Sequence, residues 1–410
     1  MKIVFLNDDY PPNGNSSVSS VVQNLSKGFA EAGHNTHVIT THRTSINPNI
    51  IRANDVTSLP SSYRASLRSY KCLWNKTTTS ALKEVLEDLH PDVVNAHNIH
   101  WHLSYDALRI ATNITDRVFL TAHDSMSFAY GRVSSSRYLQ SLGQNSRVAI
   151  SEQIKQAGLE WNPIRNFIIR KKLKKYAAKI ITVSDALKEA MESNNIRNIH
   201  TIHNGIDISA WKIEPSKLDL FRSKYKLNNK KIILFGGRIS LDKGAGALLE
   251  AMSALVKNYP NAHLLVVGAP ERWQGIVDLY NKTNAVDDFF TCTGWLDQEE
   301  MRYAYASADI VTTPSLCLDT FNLMNLEGMI ASKPVIGTIF GGSKEIIQDG
   351  ITGFLVDPRD TKQYANALER LLVDNNLAMS MGAAGKRCAE KYFSLAKQID
   401  KYLSLFRKID

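Results

Sequence analysis

Short apolar runs alternate with amphipathic stretches along the whole chain. In the first half the runs are Lys2–Asn7, His37–Thr40, Asp92–Asn95, Val118–Thr121 and Lys179–Val183. In the second they are Lys231–Phe235, His263–Val267, Phe289–Thr293, Asp309–Thr313, Pro334–Gly337 and Gly353–Val356. Most lack an every-second-residue alternation, as expected of parallel strands covered on both faces. Between them the pattern predicts helices. Val18, Val21, Val22, Leu25 and Phe29 recur at helical spacing over Val18–Ala32, and Gly33 ends that helix. Leu248, Met252, Leu255 and Val256 repeat the pattern over Ala247–Lys257. Strand–helix alternation in both halves predicts an α/β protein of two doubly wound, Rossmann-like domains.

The periodic pattern lapses over Ile206–Ser216 and a fresh strand begins at Lys231. This places a first domain at 1–210 and a second at 211–390. A last helix, Ser394–Ile409 within the segment 391–410, has no strand after it and is expected to cross back onto the first domain. Sheets of this kind bind ligands beyond the carboxyl ends of their strands, and two of them are expected to face a common cleft. The chemistry is therefore sought just after strands.

The 410 residues are too many for one core, and 44% hydrophobic with 22% charged residues excludes a collagen-like or disordered chain. No apolar stretch approaches the roughly 18–20 residues of a membrane span. The amino terminus turns acidic at Asp8-Asp9 and reads as a first buried strand. Four scattered cysteines, Cys72, Cys292, Cys317 and Cys388, lack the spacing of a metal site or disulfide framework, and point to a reducing cytoplasm. Charge is the unusual quantity: +9 overall. Residues 1–212 hold 25 Lys and Arg against 17 Asp and Glu, while the rest hold 24 against 23. The excess belongs to the first half and suits an anionic partner there.

Two loops carry candidate chemistry. In Leu234-Phe235-Gly236-Gly237-Arg238-Ile239-Ser240-Leu241-Asp242-Lys243-Gly244 a strand runs into a glycine pair and offers two cations before a helix. Glycines let backbone N–H groups approach an anion; Arg238 can grip a phosphate bidentately, and Lys243 adds a mobile charge. A tight turn with two solvated cations would look the same. The dinucleotide fingerprint G-x-G-x-x-G is absent from this loop, against a dehydrogenase. In the second loop, Thr313 to Met329, a strand end delivers Asp319 and a helix expected to start near Phe321 carries Glu327. Two carboxylates near a helix amino terminus suit sugar hydroxyls beside a phosphate, or are a loop acid and a surface helix residue.

In the first half, His123 follows a strand and precedes Asp124. It is either a structural hydrogen-bonding residue or a donor to a sugar hydroxyl or phosphate. His97, His100 and His102 cluster in sequence, but their spacing need not converge on a metal, and the reading here is metal-free. From Arg165 to Lys179 seven cations (Arg165, Arg170, Lys171, Lys172, Lys174, Lys175, Lys179) occur with no acid, interleaved with Ile164, Phe167, Ile168, Ile169, Leu173 and Tyr176. That is a basic amphipathic helix for an anionic membrane surface, or a solvated helix packed on its own domain.

Taken in order, Gly237-Arg238, Lys243-Gly244, Asp319, Glu327, Pro334-Val335-Ile336-Gly337, Gly341-Gly342, Glu345-Ile346-Ile347, Asp349-Gly350 and Thr352-Gly353-Phe354-Leu355-Val356 resemble the retaining family 4 glycosyltransferases of the GT-B fold (glycosyl transferases group 1). Asp9-Tyr10-Pro11-Pro12, Gly33-His34, Thr121-Ala122-His123-Asp124, Val183-Ser184 and His203-Asn204-Gly205-Ile206-Asp207 extend the resemblance to nearly the whole chain. It implies that Arg238 and Lys243, with Gly237, hold the donor diphosphate and that Glu327 binds the ribose. Asp319 would touch the donor sugar. Backbone N–H groups of Phe321, Asn322 and Leu323 would face sugar and phosphate, Leu296 would clamp the base, and His123 would line the donor site. The sequence departs from the family pattern in three places. Asp319 stands where Glu is usual, Asn322 where Gly is common, and Ser332-Lys333 where a glycine usually precedes the proline. The paired glycines of the first loop align with Ser16-Ser17, beside Gly14.

The function implied is a metal-independent, retaining hexosyltransferase with no cofactor. It would use a UDP or GDP sugar and a saccharide or lipid-linked acceptor in cell-surface polysaccharide, lipopolysaccharide or glycolipid synthesis. It would be cytoplasmic or peripheral on the inner membrane face. No D-x-D motif appears where a metal–diphosphate bridge would need one. A GT-B nucleotide-sugar epimerase is the alternative. A nucleic-acid-binding protein lacks a reader module and is set aside.

Overall fold

The computed structural model describes residues 1–408 apart from 13, 15, 63 and 282–288, so Ile409, in the expected last helix, lies outside the described residues. The chain forms two compact units. Unit 1 is Met1–Val133, Asn145–Gly205 and Leu395–Asp410; unit 2 is Ser134–Gln144 and Ile206–Ser394.

Unit 1 is built on β1 (Lys2–Leu6), β2 (Asn35–Arg43), β3 (Ile51–Ala53), β4 (Val56–Ser61), β5 (Val93–Ala96), β6 (Val118–Ala122), β7 (Lys179–Thr182) and β8 (Ile199–Thr201). Their order across the sheet is β3-β4-β2-β1-β5-β6-β7-β8. Every described pairing is parallel except β3 with β4. The helix Ser17–Glu31 buries Val21, Val22, Leu25 and Phe29, and Gly33 follows it at φ +81°. The helix Leu395–Arg407 packs into this unit. Phe406 lies 4.6 Å from Phe119 and stacks on Phe29 at 5.9 Å between ring centroids, and the Tyr402 hydroxyl lies 3.1 Å from Thr121 Oγ1.

Unit 2 carries β9 (Lys231–Gly236), β10 (Ala262–Val267), β11 (Phe290–Cys292), β12 (Ile310–Thr313), β13 (Val335–Thr338) and β14 (Gly353–Val356), ordered β11-β10-β9-β12-β13-β14 and all parallel. The helix Ala245–Leu255 covers one face with Leu248, Leu249, Met252 and Leu255. Strand order reverses at β1/β5 in unit 1 and at β9/β12 in unit 2. Loops leaving those strands diverge to opposite faces and open a crevice at each sheet's carboxyl edge.

The strands β3, β4 and β8 go beyond the sequence pattern. So does the excursion Ser134–Gln144, which the alternation places in 1–210 but which belongs to unit 2. Its Tyr138 is fully buried, 5.8 Å from the Phe340 ring, and Arg359 donates 2.9 Å to Leu139 O.

Candidate active site

The carboxyl edge of β9 and β12 gathers most of the residues singled out in unit 2. Gly237 turns the chain at φ +97°, exposed Arg238 follows, and Leu241–Lys243 form a single 3-10 turn. Gly244, at φ +80°, then starts the next helix against the loop after β12; a Cβ there would lie 1.8 Å from Pro314 O. Leu316 N donates 2.8 Å to Asp242 O, joining the two loops through backbone. On the other side Gly341 (φ +70°) lies so close that a Cβ would meet Asp319 O at 2.2 Å, and Gly342 N donates 2.8 Å to that oxygen. Asp319 is thus clamped between neighbours that only glycine permits.

Its side chain has a specific task. Asp319 Oδ2 accepts from Lys243 Nζ at 2.7 Å, Ser315 Oγ at 2.7 Å and Asn322 Nδ2 at 2.9 Å. Burial alone would raise this carboxyl, but the Lys243 charge and the three hydrogen bonds outweigh it and hold it below its ordinary range. Lys243 and Asp319, expected to touch phosphate and sugar respectively, here bind each other. Asn322 connects the carboxylate to the helix: its Oδ1 accepts from Met324 N at 3.1 Å as the N-cap of Leu323–Ile330. The helix therefore begins at Leu323, two residues later than the pattern indicates, because the Asn322 side chain takes the capping position and leaves buried Phe321 outside the helix.

About one turn into that helix, Glu327 accepts a short hydrogen bond from the buried Tyr305 hydroxyl. Burial raises the Glu327 carboxyl against this bond, and burial beside Glu327 pushes the Tyr305 phenol well above its ordinary value. Trp211 packs on Tyr305 at 5.5 Å. Leu296, half-buried, follows β11 after Gly294 (φ +80°). Ser315 and Tyr305 escaped sequence reasoning. Ser315 had a signal in its place just past a strand, whereas nothing local marks Tyr305.

In unit 1 the corresponding edge holds His123 and a residue set aside above, His97. Their rings stack at 5.1 Å, with His97 Nδ1 2.8 Å from His123 Nε2. His97 Nε2 is buried without a partner. A stranded buried N–H costs more than a stranded lone pair, so His97 Nδ1–H donates and the His123 proton sits on Nδ1. His100 Nε2 lies 3.7 Å from Asp124 Oδ2, while His102 turns away to Ser61. Asp8 accepts from the backbone of Trp101, His102 and Leu103 at 2.6, 2.9 and 2.8 Å, fixing the turn that carries these histidines. In the first loop Ser16 is the N-cap of Ser17–Glu31, accepting from Ser19 N at 3.1 Å. A Cβ on Gly14 would lie 2.6 Å from Asp9 Cβ.

Burial holds the three histidines neutral. It draws His100 and His123 down to about 4, despite the opposing charge of Asp124, and His97 well below 6.5. The unfolded chain binds these protons near pH 6.5, whereas the folded one binds those of His100 and His123 only near 4 and that of His97 well below 6.5. Stability is therefore expected to fall as pH drops from about 6.5 toward 4, because the unfolded state binds more protons than the folded one there. Asp8, pushed by burial up to about 7, acts oppositely, but one carboxyl stands against three imidazoles. Urea unfolding at pH 7 and pH 4.5 measures the difference; equal midpoints would contradict neutral buried histidines.

The basic stretch requires a correction. The helix ends at Tyr176, Lys179 opens β7, and two cations point inward. Arg165 is buried, donates to Ala129 O and Asn166 Oδ1, and packs on Tyr130. Lys172 is buried in a short ion pair with Asp106, which Arg109 also engages. The exposed face instead shows Ile164 (53% exposed), Phe167 (61% exposed), Lys171, Lys174 and Lys175.

The family model "Glycosyl transferases group 1" matches residues 217–388, and "Glycosyltransferase Family 4" matches 18–210. Spore coat protein SA of Bacillus subtilis is 27% identical over 247 residues, 56% of this chain and 65% of that protein. Alpha-maltose-1-phosphate synthase of Mycolicibacterium smegmatis is 30% identical over 225 residues, 52% of this chain and 57% of that protein. The matched stretch thus spans less than two thirds of either relative. Among solved structures, Anabaena Alr3699/HepE in complex with UDP and glucose superposes with a TM-score of 0.73 over 100% of both chains at 17% identity, a likeness of fold.

Proposed function

Because the chain belongs to the group 1 glycosyl transferases, with the GT-B fold, we propose that it moves a sugar from a nucleoside-diphosphate sugar to an acceptor hydroxyl with retention of configuration. The observation that carries this reading is the Lys243–Asp319 pair at the strand-order reversal of unit 2, beside Arg238 and a glycine turn. A donor diphosphate would draw Lys243 and Arg238 to its oxygens. It would leave Asp319, anchored by Ser315 and Asn322, for a sugar hydroxyl; Glu327 would take the ribose. As the bond from the anomeric carbon to the diphosphate oxygen breaks, these cations stabilise the leaving charge. The acceptor oxygen bonds to the same face, and its proton passes to a donor phosphate oxygen. No step requires a metal. The UDP of the HepE complex supports a nucleotide-sugar donor. Unit 1, with most of the positive charge, is assigned the acceptor.

Incubating the protein with UDP- and GDP-sugars in excess EDTA, with and without a glycoside acceptor, tests the reading. Slow release of nucleotide from one donor, accelerated by acceptor, is expected. Recovery of an epimerised nucleotide sugar without acceptor would favour the epimerase instead, and inactivity restored only by a divalent cation would refute metal independence.

The exposed Ile164–Lys175 face supports a peripheral membrane role in this reading. Three lysines near an anionic surface contribute about 1 kcal/mol each, so K171Q/K174Q/K175Q should weaken binding to phosphatidylglycerol vesicles by roughly 100-fold. Sedimentation of both proteins with such vesicles measures this, and equal binding removes the membrane assignment. No described helix is long and apolar enough to cross a membrane.

A further inference from the structure

The opposite edge of the unit 2 sheet holds a second concentration of positive charge that the transfer reaction does not use. A cavity of about 350 Å³ opens at the amino ends of β9, β12 and β13, lined among others by Arg222, Lys230, Lys231, Ser307, Asp309 and Lys333. The six residues of β9 separate it from the Gly237 turn by roughly 20 Å at 3.3 Å per residue. Four cations face one carboxylate. That carboxylate is committed: Asp309 Oδ2 accepts from Ile232 N at 2.7 Å, and its Oδ1 lies 3.5 Å from Lys231 Nζ. Arg222 donates to Ser307 O at 3.0 Å and Leu227 O at 2.9 Å, and Lys333 Nζ to Ala306 O at 2.9 Å. Carbonyl oxygens orient these cations without neutralising them. Lys230 Nζ lies 3.4 Å from His263 Nε2, again without an acid among the described residues.

Two further observations point to an anion site. Ser307 is buried and its hydroxyl has no hydrogen-bond partner, although it lines the cavity beside Arg222. Lys333 lines the same cavity, and it is seated by Ser332 at φ +58°, a conformation that favours glycine. Burial pulls the Lys333 ammonium below its ordinary range; Asp309 partly opposes this and Arg222 adds to it.

We propose that this cavity binds the phosphate dianion of a small phosphorylated molecule. The Arg222 fork and the ammonium groups of Lys230 and Lys333 would engage its oxygens, and the Ser307 hydroxyl would donate to one of them. The volume lies at the lower end of small-ligand sites, larger than phosphate alone requires and suited to a phosphosugar. The site is separate from the donor site, so the test removes phosphate binding there first. Isothermal titration of R238A/K243A with inorganic phosphate and with glucose 6-phosphate should show one saturable site. Adding Lys333→Gln, or Lys230→Gln should the first variant unfold, should weaken it at least tenfold. Tighter binding of glucose 6-phosphate would support a substituted phosphate, and equal binding would support the free anion in the same site. Absence of saturable binding of either, or affinity unchanged in both Gln variants, would overturn the proposal.

Discussion

Lys243→Ala is expected to lower sugar transfer by roughly 10²–10³-fold in kcat/KM, the effect of deleting one group that stabilises developing oxyanion charge. The same change has a second, separable consequence. Asp319 loses the largest of the contributions that together outweigh its burial, so its carboxyl should rise and the fold weaken by about 1–3 kcal/mol, moderated because the Lys243 side chain is 21% exposed. Asp319 is depressed in the folded state, so the pair's contribution is complete above the ordinary carboxylate range and vanishes as pH falls through the folded value. The stability gap between wild type and variant should close accordingly on acidification. K243A/D319N should regain stability without regaining transfer. Urea unfolding beside initial rates separates the two effects; a K243A enzyme of normal rate would dismiss Lys243 from the donor site.

Gly244→Ala should be the most damaging single methyl in this region. Gly237 and Gly244 both have positive φ, but a Cβ on Gly237 meets nothing within 4 Å, whereas one on Gly244 would lie 1.8 Å from Pro314 O. Gly237→Ala should therefore lose only the backbone strain, about 1–2 kcal/mol. Gly244→Ala must also drive Pro314 away, breaking the Leu316–Asp242 backbone bond and moving Asp319, for a loss of more than about 3 kcal/mol. Urea midpoints of the two variants decide it. Equal losses would mean that the loops separate freely and that the Asp319 clamp is not rigid.

The β-sheets were legible where burial on both faces writes a continuous apolar run, as in Ile232–Phe235 and Leu264–Val267. They were illegible in β4, where Thr57, Ser58 and Pro60 interrupt the run, and in the three-residue β3 and β8. The glycine turn and its cations could be found from local order, because a strand end followed by glycines and charge is a sequence-local arrangement. Pairings made by the fold could not. Lys243 and Asp319 lie 76 positions apart, and His97 meets His123 across two adjacent strands. The basic helix misled for a different reason. Its cations suggested one wet face, yet Arg165 and Lys172, two turns apart, turn inward with Ile169 and Leu173 because Tyr130 and Asp106 wait for them. Phe167 is left outside.

The return of the helix Leu395–Arg407 to unit 1 sets a constraint on biosynthesis. Phe29 and Phe119 belong to early segments, but the aromatic ring that packs against both, Phe406, is translated only after all of unit 2. Unit 2 can complete its sheet while the chain is still growing, because the Tyr138 excursion it needs has already been made. The unit synthesised first is thus the one finished last.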